Sequence, residues 1–367
     1  MLAFDELYSW VKELPIVDWH NHLDLDWIAA DQPLGSLYEV WVKADPYKHR
    51  AMRICGESEE VVTGGASESD KWAAWMRTLP KLVGNPVFAW AQMELAFLGL
   101  PVSVYLHGEG ANVSLSAWTP KKMLQAFNVA YYDPGYRMNA GDAPDLEALA
   151  KVHARGGRVL DISVDDGASL LAPDVLPTLR TAIRFAVAHK WTMLLHLGAL
   201  RETSARLRAA AGPAGGYAGM RAPVDPAVVA RFLDVLESEG LLPRTILLSL
   251  NPEAHAQLAV LAGSFNGAGL PGKVQLGPAW WWCDHKEGIC DVLEKNAAYG
   301  VLATFVGMTT DSRSLLSFVR HDYFRRILCQ WAAEKIARGD FPDDAALIRP
   351  LLENVCHRNA QDLVADS

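Results

Sequence analysis

The sequence predicts an α/β fold, a parallel sheet covered by helices, and three observations point there. Short apolar, β-branched runs alternate with segments whose apolar residues recur at three- and four-residue intervals. Several of those runs end in polar residues that seldom decorate a core. The chain has 367 residues, 50% of them hydrophobic, enough for one large barrel-type domain or two smaller ones. A (β/α) barrel and a doubly wound sheet are in contention. No GxGxxG or Walker loop follows the first strand, which weakens the nucleotide-binding version.

The first expected strand is Pro15–His20. Residues 36–125 then break the alternation: they are Trp-rich and helical in pieces, such as Asp70–Leu79 and Pro86–Leu98, and read as an insertion within a single domain spanning 1–367. Strands are expected again at Phe127–Tyr132, Arg158–Ile162 and Trp191–His196, with a helix over Leu176–His189. Gly212–Gly219, rich in Gly and Pro, reads as a loop. A helix follows over Pro226–Glu239, with Asp225 as its N-cap and Pro226 near its start. Thr245–Leu250, Lys273–Leu276 and Leu302–Met308 complete the strands.

Charge narrows the partners. Lys plus Arg total 34 against 43 Asp plus Glu, a formal charge of −9, which argues against a nucleic-acid or anionic-membrane surface. No apolar stretch is long enough to span a bilayer. Met1–Glu13 carries Asp5, Glu6 and Glu13 and has no basic region before an apolar core, so no signal peptide is expected. Five cysteines without a CxxC pair read as thiols in a reducing cytoplasm.

The chemistry gathers at strand ends. In His20-Asn21-His22, side chains two apart on a strand point to the same side, so both imidazoles converge where a divalent metal could accept their nitrogens. Loop histidines satisfied by hydrogen bonds are the plain alternative. Asp311 and Arg313 follow an apolar run, where charge costs desolvation unless it faces a polar cavity. Asp311 reads equally as a helix cap. His196 closes another apolar run and is followed by Arg201. In a barrel all strand ends meet at one face, so these groups together form a coherent metal site with open positions for substrate or water.

Two further segments stand out. Lys43–Arg53 crowds ionisable side chains, among them His49 and Arg53, around Tyr47. It reads as a solvated helix start, or as a loop over the barrel mouth supplying cations for an anionic sugar and a phenol for proton transfer. The run Trp280-Trp281-Trp282 reads as core or as an apolar platform for a sugar face. Arg320, His321, Arg325 and Arg326 share one helix and favour salt bridges over a binding patch.

The stretches "VDWHNHL", "LYEVWVKADPYKHRAMRICG", "LLHLGALR", "GSFNGAGLPGKVQLGPAWWWCD" and "FVGMTTDSRSLLSFVRHDYFRRILCQ" resemble, in order, those of the uronate isomerase family of the amidohydrolase superfamily. The resemblance implies a distorted (β/α)8 TIM-type barrel of the metal-dependent hydrolase superfamily. It implies one divalent metal, zinc first, with Mn, Fe or Ni as alternatives, held by His20, His22 and Asp311 with His196 beside it. Arg313 and Tyr47 would meet the sugar, and Asp311 or Tyr47 would move the proton. His49, Arg53, Arg201, Trp280 and Trp281 would bind substrate. The implied reaction interconverts a hexuronate, D-glucuronate or D-galacturonate, and its keto form through a cis-enediol. A metal-dependent hydrolase, or an isomerase of another sugar acid, is the alternative. A cytoplasmic homo-oligomer acting on a small sugar acid is expected, without nucleic-acid or membrane partners.

Departures from the family pattern bear on recognition. Pro46 stands where the motif has His, and His49 where it has Trp. The chain is short between Phe127 and Arg158, with Asp161 matching an Asp of the family's fourth strand. The "RPD" segment, whose Arg grips the substrate carboxylate, has no clear counterpart; Asp133, Pro134 and Arg137 lie in its neighbourhood.

Overall fold

The computed structural model describes residues 1–165, 167–267 and 269–365; the expected single domain of 1–367 extends beyond these. Nine strands are present among them: β1 (Ile16–Asp18), β2 (Val129–Tyr132), β3 (Tyr136–Asn139), β4 (Val159–Val164), β5 (Thr192–Leu197), β6 (Ala199–Leu200), β7 (Gly219–Met220), β8 (Thr245–Ser249) and β9 (Val274–Leu276). They form a five-stranded sheet in the order β3-β4-β5-β8-β9, parallel throughout, a parallel pair β1-β2 and an antiparallel pair β6-β7. Among the described residues no helix is long and apolar enough to cross a membrane.

The parallel sheet has two differently used faces. Every residue of β4, β5 and β8 is buried, as expected for strands covered on both sides. Leu160, Ile162 and Val164 of β4 join Met193, Leu195 and Leu197 of β5 and Leu247 of β8 in one apolar cluster with the Val175–Ala188 and Pro226–Ser238 helices. The alternate positions Val159, Leu194, Ile246 and Leu248 join Val17, Trp19, Val306 and Trp280 in another. That second face turns polar toward the carboxyl ends of its strands, at Asp161, Ser163 and His196. The period-2 alternation of a strand therefore places a packed floor beneath a charged rim.

Local signals account for the helices. Asp225 accepts from the Ala227 N–H and caps Pro226–Ser238, with Pro226 in the first turn. Within 36–125, Ser36 and Glu39 form a reciprocal capping box, Asp45 caps the helix beginning at Pro46, and Asn85 caps Pro86–Phe97. Its regular elements are helices, apart from one isolated bridge from Ser36 to Ser114. Its tryptophans Trp41, Trp75 and Trp90 pack with Leu37, Met52 and Leu95, and this cluster extends to Ile16 at the start of β1 and to Leu315, Leu316 and Phe318.

Three expectations change. The run Leu302–Met308 forms no strand: Leu302–Thr304 is a 3₁₀ turn, and the rest continues without a ladder. Gly307, at φ +70°, explains the break, because a β-carbon there would lie 2.0 Å from the Val355 carbonyl oxygen. Conversely, Tyr136–Asn139 forms β3 as the outer strand of the sheet, in register with Leu160–Ser163 of β4. Asp311 caps no helix either; Leu315–Phe318 begins after Ser314, and the long helix Val319–Arg338 follows it.

Candidate active site

The two histidines and the aspartate meet. Asp311 Oδ1 lies 2.8 Å from His22 Nε2 and 3.2 Å from His20 Nε2. The ligand atoms of His20, His22 and Asp311 all fall within 4.8 Å of one another, and so do those of His20, Asp161 and His196. His20 is fully buried, and neither of its ring nitrogens has a hydrogen-bond partner. Orphaned buried nitrogens facing a carboxylate and a second imidazole are what a divalent cation would satisfy, and the N and O donors suit one. Asp311 adopts φ +47°, a left-handed conformation Asp tolerates better than most residues, and this turn aims its carboxylate.

The site's charges oppose burial. Desolvation works to raise the Asp311 carboxyl, but the adjacent imidazoles of His20 and His22 override it and hold it well below the ordinary carboxylate range. His20, although desolvation disfavours its charged form, is pushed up by Asp311, Asp161 and Asp18; His22 is pushed down by burial. Asp161 is ionised for the same kind of reason: burial opposes it, and His196 prevails. Asp161 Oδ1 lies 2.6 Å from His196 Nδ1. An ionised carboxylate can only accept, so the bond is donated by His196 Nδ1.

Around this cluster a pocket is lined by His22, Asp161, Ser163, His196, Trp280, Trp281 and Asp311, with Pro46 and Ala214 closing it. Arg137, Arg201 and Arg313 also line it. Arg201 bonds Asp165 Oδ1 at 3.1 Å and Ser163 Oγ at 3.0 Å, while Arg137 Nε stands 3.8 Å from Asp161 Oδ2. Trp280 donates its indole N–H to Asp311 Oδ2. The three arginines and Trp281 continue into an adjoining hollow of about 480 Å³.

Residues of the Pro46–Ile54 helix take other positions. Tyr47 stands edge-on to Trp90 and Trp282, with ring centroids 5.3 and 5.4 Å away, and lines a different hollow with Arg50, Trp282 and His285. Burial pushes its phenol well above the usual range. His49 is buried with Nε2 unpartnered. Arg53 holds Glu59 through two bonds of 2.7 Å and donates to the Gly215 carbonyl. The structure thus gathers His22, His196, Arg201, Trp280, Trp281, Asp311 and Arg313 in the lining of one pocket, with His20 buried against His22 and Asp311, and leaves Tyr47, His49 and Arg53 outside that lining. The basic cluster on the last long helix is paired, as expected: Arg320 with Asp284, His321 with Asp18 and Arg326 with Asp322.

Ser163 is a site residue that sequence reading passes over; Arg137 appears there only as a neighbour of the missing RPD segment and Asp161 only as an aligned position. The signal for Asp161 and Ser163 is the alternation along Val159–Val164, in which polar groups take alternate places of a buried strand.

A family model described as glucuronate isomerase matches residues 3–112 and 177–364. The chain belongs to the glucuronate isomerase family. As a member it is an isomerase, and its relatives cover it almost end to end. A uronate isomerase of Caldicellulosiruptor bescii is 32% identical over 96% of this chain and 95% of that protein. One from Bacillus licheniformis is 32% identical over 96% of this chain and 93% of that protein. Among solved structures, a uronate isomerase from Thermotoga maritima shares the fold with a TM-score of 0.83 at 23% identity, covering 99% of this chain and 97% of the other. A glucuronate isomerase from Caulobacter crescentus gives 0.80 at 18% identity over 98% and 93%. Residues 113–176, which the family model leaves unmatched, carry β2, β3 and β4, and hence both Arg137 and Asp161.

Proposed function

We propose that this isomerase is metal-dependent and interconverts a hexuronate, D-glucuronate or D-galacturonate, with its keto form through a cis-enediol. The observation that carries the reading is a family match that includes both ends of the ligand set, His20 and His22 near the start and Asp311 near the end. The two parallel sheets are read as parts of one distorted (β/α)8 barrel, with 36–125 inserted after the first strand and the pocket at the carboxyl ends of the strands.

His20, His22 and Asp311 would hold one divalent cation, zinc first, with His196 presenting Nε2 beside it. When bound, such a cation supplies Lewis acidity to the oxygens of the open-chain carbonyl and its neighbouring hydroxyl. Aldose–ketose interconversion moves a proton between C2 and C1, and requires a base and support for the enediolate charge. Asp311 lines the pocket and so supports the role of proton carrier better than Tyr47, which lines a different hollow. Arg313 supports the enediolate charge. Arg137 and Arg201 offer guanidinium forks for the substrate carboxylate. Trp280 and Trp281 present ring faces to the sugar carbons.

Incubation with D-glucuronate or D-galacturonate in D2O, followed by NMR, tests the reading. Ketouronate formation with deuterium at the carbon beside the carbonyl is expected. Hydrolysis of a lactone or ester, with no exchange and no ketouronate from either sugar, sinks it in favour of a hydrolase. A homo-oligomer belongs to the same reading, with sedimentation velocity as its measure.

A further inference from the structure

A metal centre needs its ligands held within about half an ångström of their productive places, yet here they come from segments that share no strand ladder. His20 and His22 follow β1, whereas Asp311 ends the stretch that fails to become a strand. Two backbone hydrogen bonds cross between these segments, Asp311 N–H to the His20 carbonyl at 3.1 Å and His22 N–H to the Ser312 carbonyl at 2.8 Å. A third element of the junction is a carboxylate.

Asp18 is completely buried. Its Oδ1 accepts the Thr310 N–H at 2.6 Å and lies 3.0 Å from both Thr309 Oγ1 and His321 Nε2. Its Oδ2 accepts Thr310 Oγ1 at 2.7 Å and Asn21 Nδ2 at 3.0 Å. Thr309 Oγ1 in turn accepts the His20 N–H at 2.9 Å. One side chain two residues before His20 thereby grips the two residues that precede Asp311. Burying a carboxylate costs several kcal/mol even after relaxation, and an apolar isostere commonly serves stability as well or better. Registry is the best-attested reason to retain such a group.

We propose that Asp18 is a positioning residue: with Thr309 and Thr310 it locks the register between the segment bearing His20 and His22 and the segment bearing Asp311, and so sets the coordination geometry of the cation. The inference rests on the metal-dependent reading above. Asp18 touches no substrate and acts through the backbone of the ligand segments. Where a β-ladder would carry a row of backbone hydrogen bonds, this junction has two, supplemented by one acid and two hydroxyls.

Cobalt(II) loading of the full chain tests it, read by the d–d absorption spectrum and by affinity in competition with a chelator, beside thermal melts. Asp18→Asn is expected to weaken cobalt binding about 10- to 100-fold, the range for residues that orient metal ligands, and to shift the spectrum. Thr309→Val is expected to move both readouts the same way, and Thr309→Ser to restore them. Glu94→Gln, which loosens a buried carboxylate held by Trp41 and Lys48 in the inserted helices, is expected to lower the melting temperature while leaving affinity and spectrum unchanged. Wild-type affinity and spectrum in Asp18→Asn overturn the proposal. Should that variant not fold, a Thr309→Val protein identical to wild type in both readouts overturns it equally. A wild-type protein that binds no cobalt, zinc or manganese fails the metal-centre reading itself, a different result from binding that ignores Asp18.

Discussion

Arg137 stands on the four-residue strand β3, directly across the ladder from Asp161, and shares its pocket with Arg201 and Arg313. A charge-assisted hydrogen bond to a carboxylate is worth about 1.5–3 kcal/mol. Arg137→Ala is therefore expected to raise KM for the hexuronate about tenfold to a hundredfold with a smaller change in kcat, measured by steady-state kinetics, and with little change in melting temperature. Asp311→Asn and Arg313→Ala are expected to lower kcat by about 10²–10³, the usual loss for one stabiliser of developing charge; turnover near the wild-type rate in either variant removes that residue from the chemistry. His20, His22 and Asp311 are legible in the sequence because each is polar at the end of an apolar run, and desolvation makes that placement costly without a purpose. Asp161 and Ser163 are harder to see, since each sits inside a run and shows itself only through alternation. The expectation for Tyr47, His49 and Arg53 came from motif position, and motif position says nothing of which side of a helix meets the pocket.

At the scale of elements, caps and punctuation carry most of the information. Asp225, Asp45 and Asn85 each sit before a proline and accept from the first free N–H groups, so these helix starts are written locally. The stretch Leu302–Met308 is different. A continuous apolar run fits a strand and a buried irregular segment equally well, and here packing against Val355 decides through Gly307. Gly307→Ala forces a β-carbon against a carbonyl in a left-handed conformation and is expected to destabilise by well over about 1 kcal/mol. Urea denaturation measures this, and an unchanged midpoint would mean that the turn is not constrained as described. Strand β3 escaped notice because four residues with exposed Arg137 and Asn139 lack both length and apolar content.

For the whole molecule, alternation of strands and helices is enough to reveal a parallel sheet, but not whether its edges meet. Contacts between residues nearly three hundred positions apart, such as Asp18 with Thr310, join the two ends of the chain, and no local pattern encodes those. The excess of acid over base, −9 formally, is compatible with a pocket bearing three arginines, because net charge averages over a surface that the site does not resemble. Binding free energy of the proposed cation would add to folding free energy: at a free concentration one hundred times Kd it would contribute about 2.7 kcal/mol. Chelation is therefore expected to lower the melting temperature by several degrees, and zinc or manganese to restore it, as followed by circular dichroism. A melting curve indifferent to chelator and to added metal would contradict a resident cation.

The left-handed backbone at Asp311 also limits how this enzyme can change over generations. Asparagine and glycine suit that conformation but bring no negative charge, and glutamate brings the charge on a longer arm in a backbone it disfavours. On the role proposed for Asp311, a lineage can thus abandon the chemistry through a single codon, while retuning it by exchanging one acid for the other would require the surrounding turn to be rebuilt first.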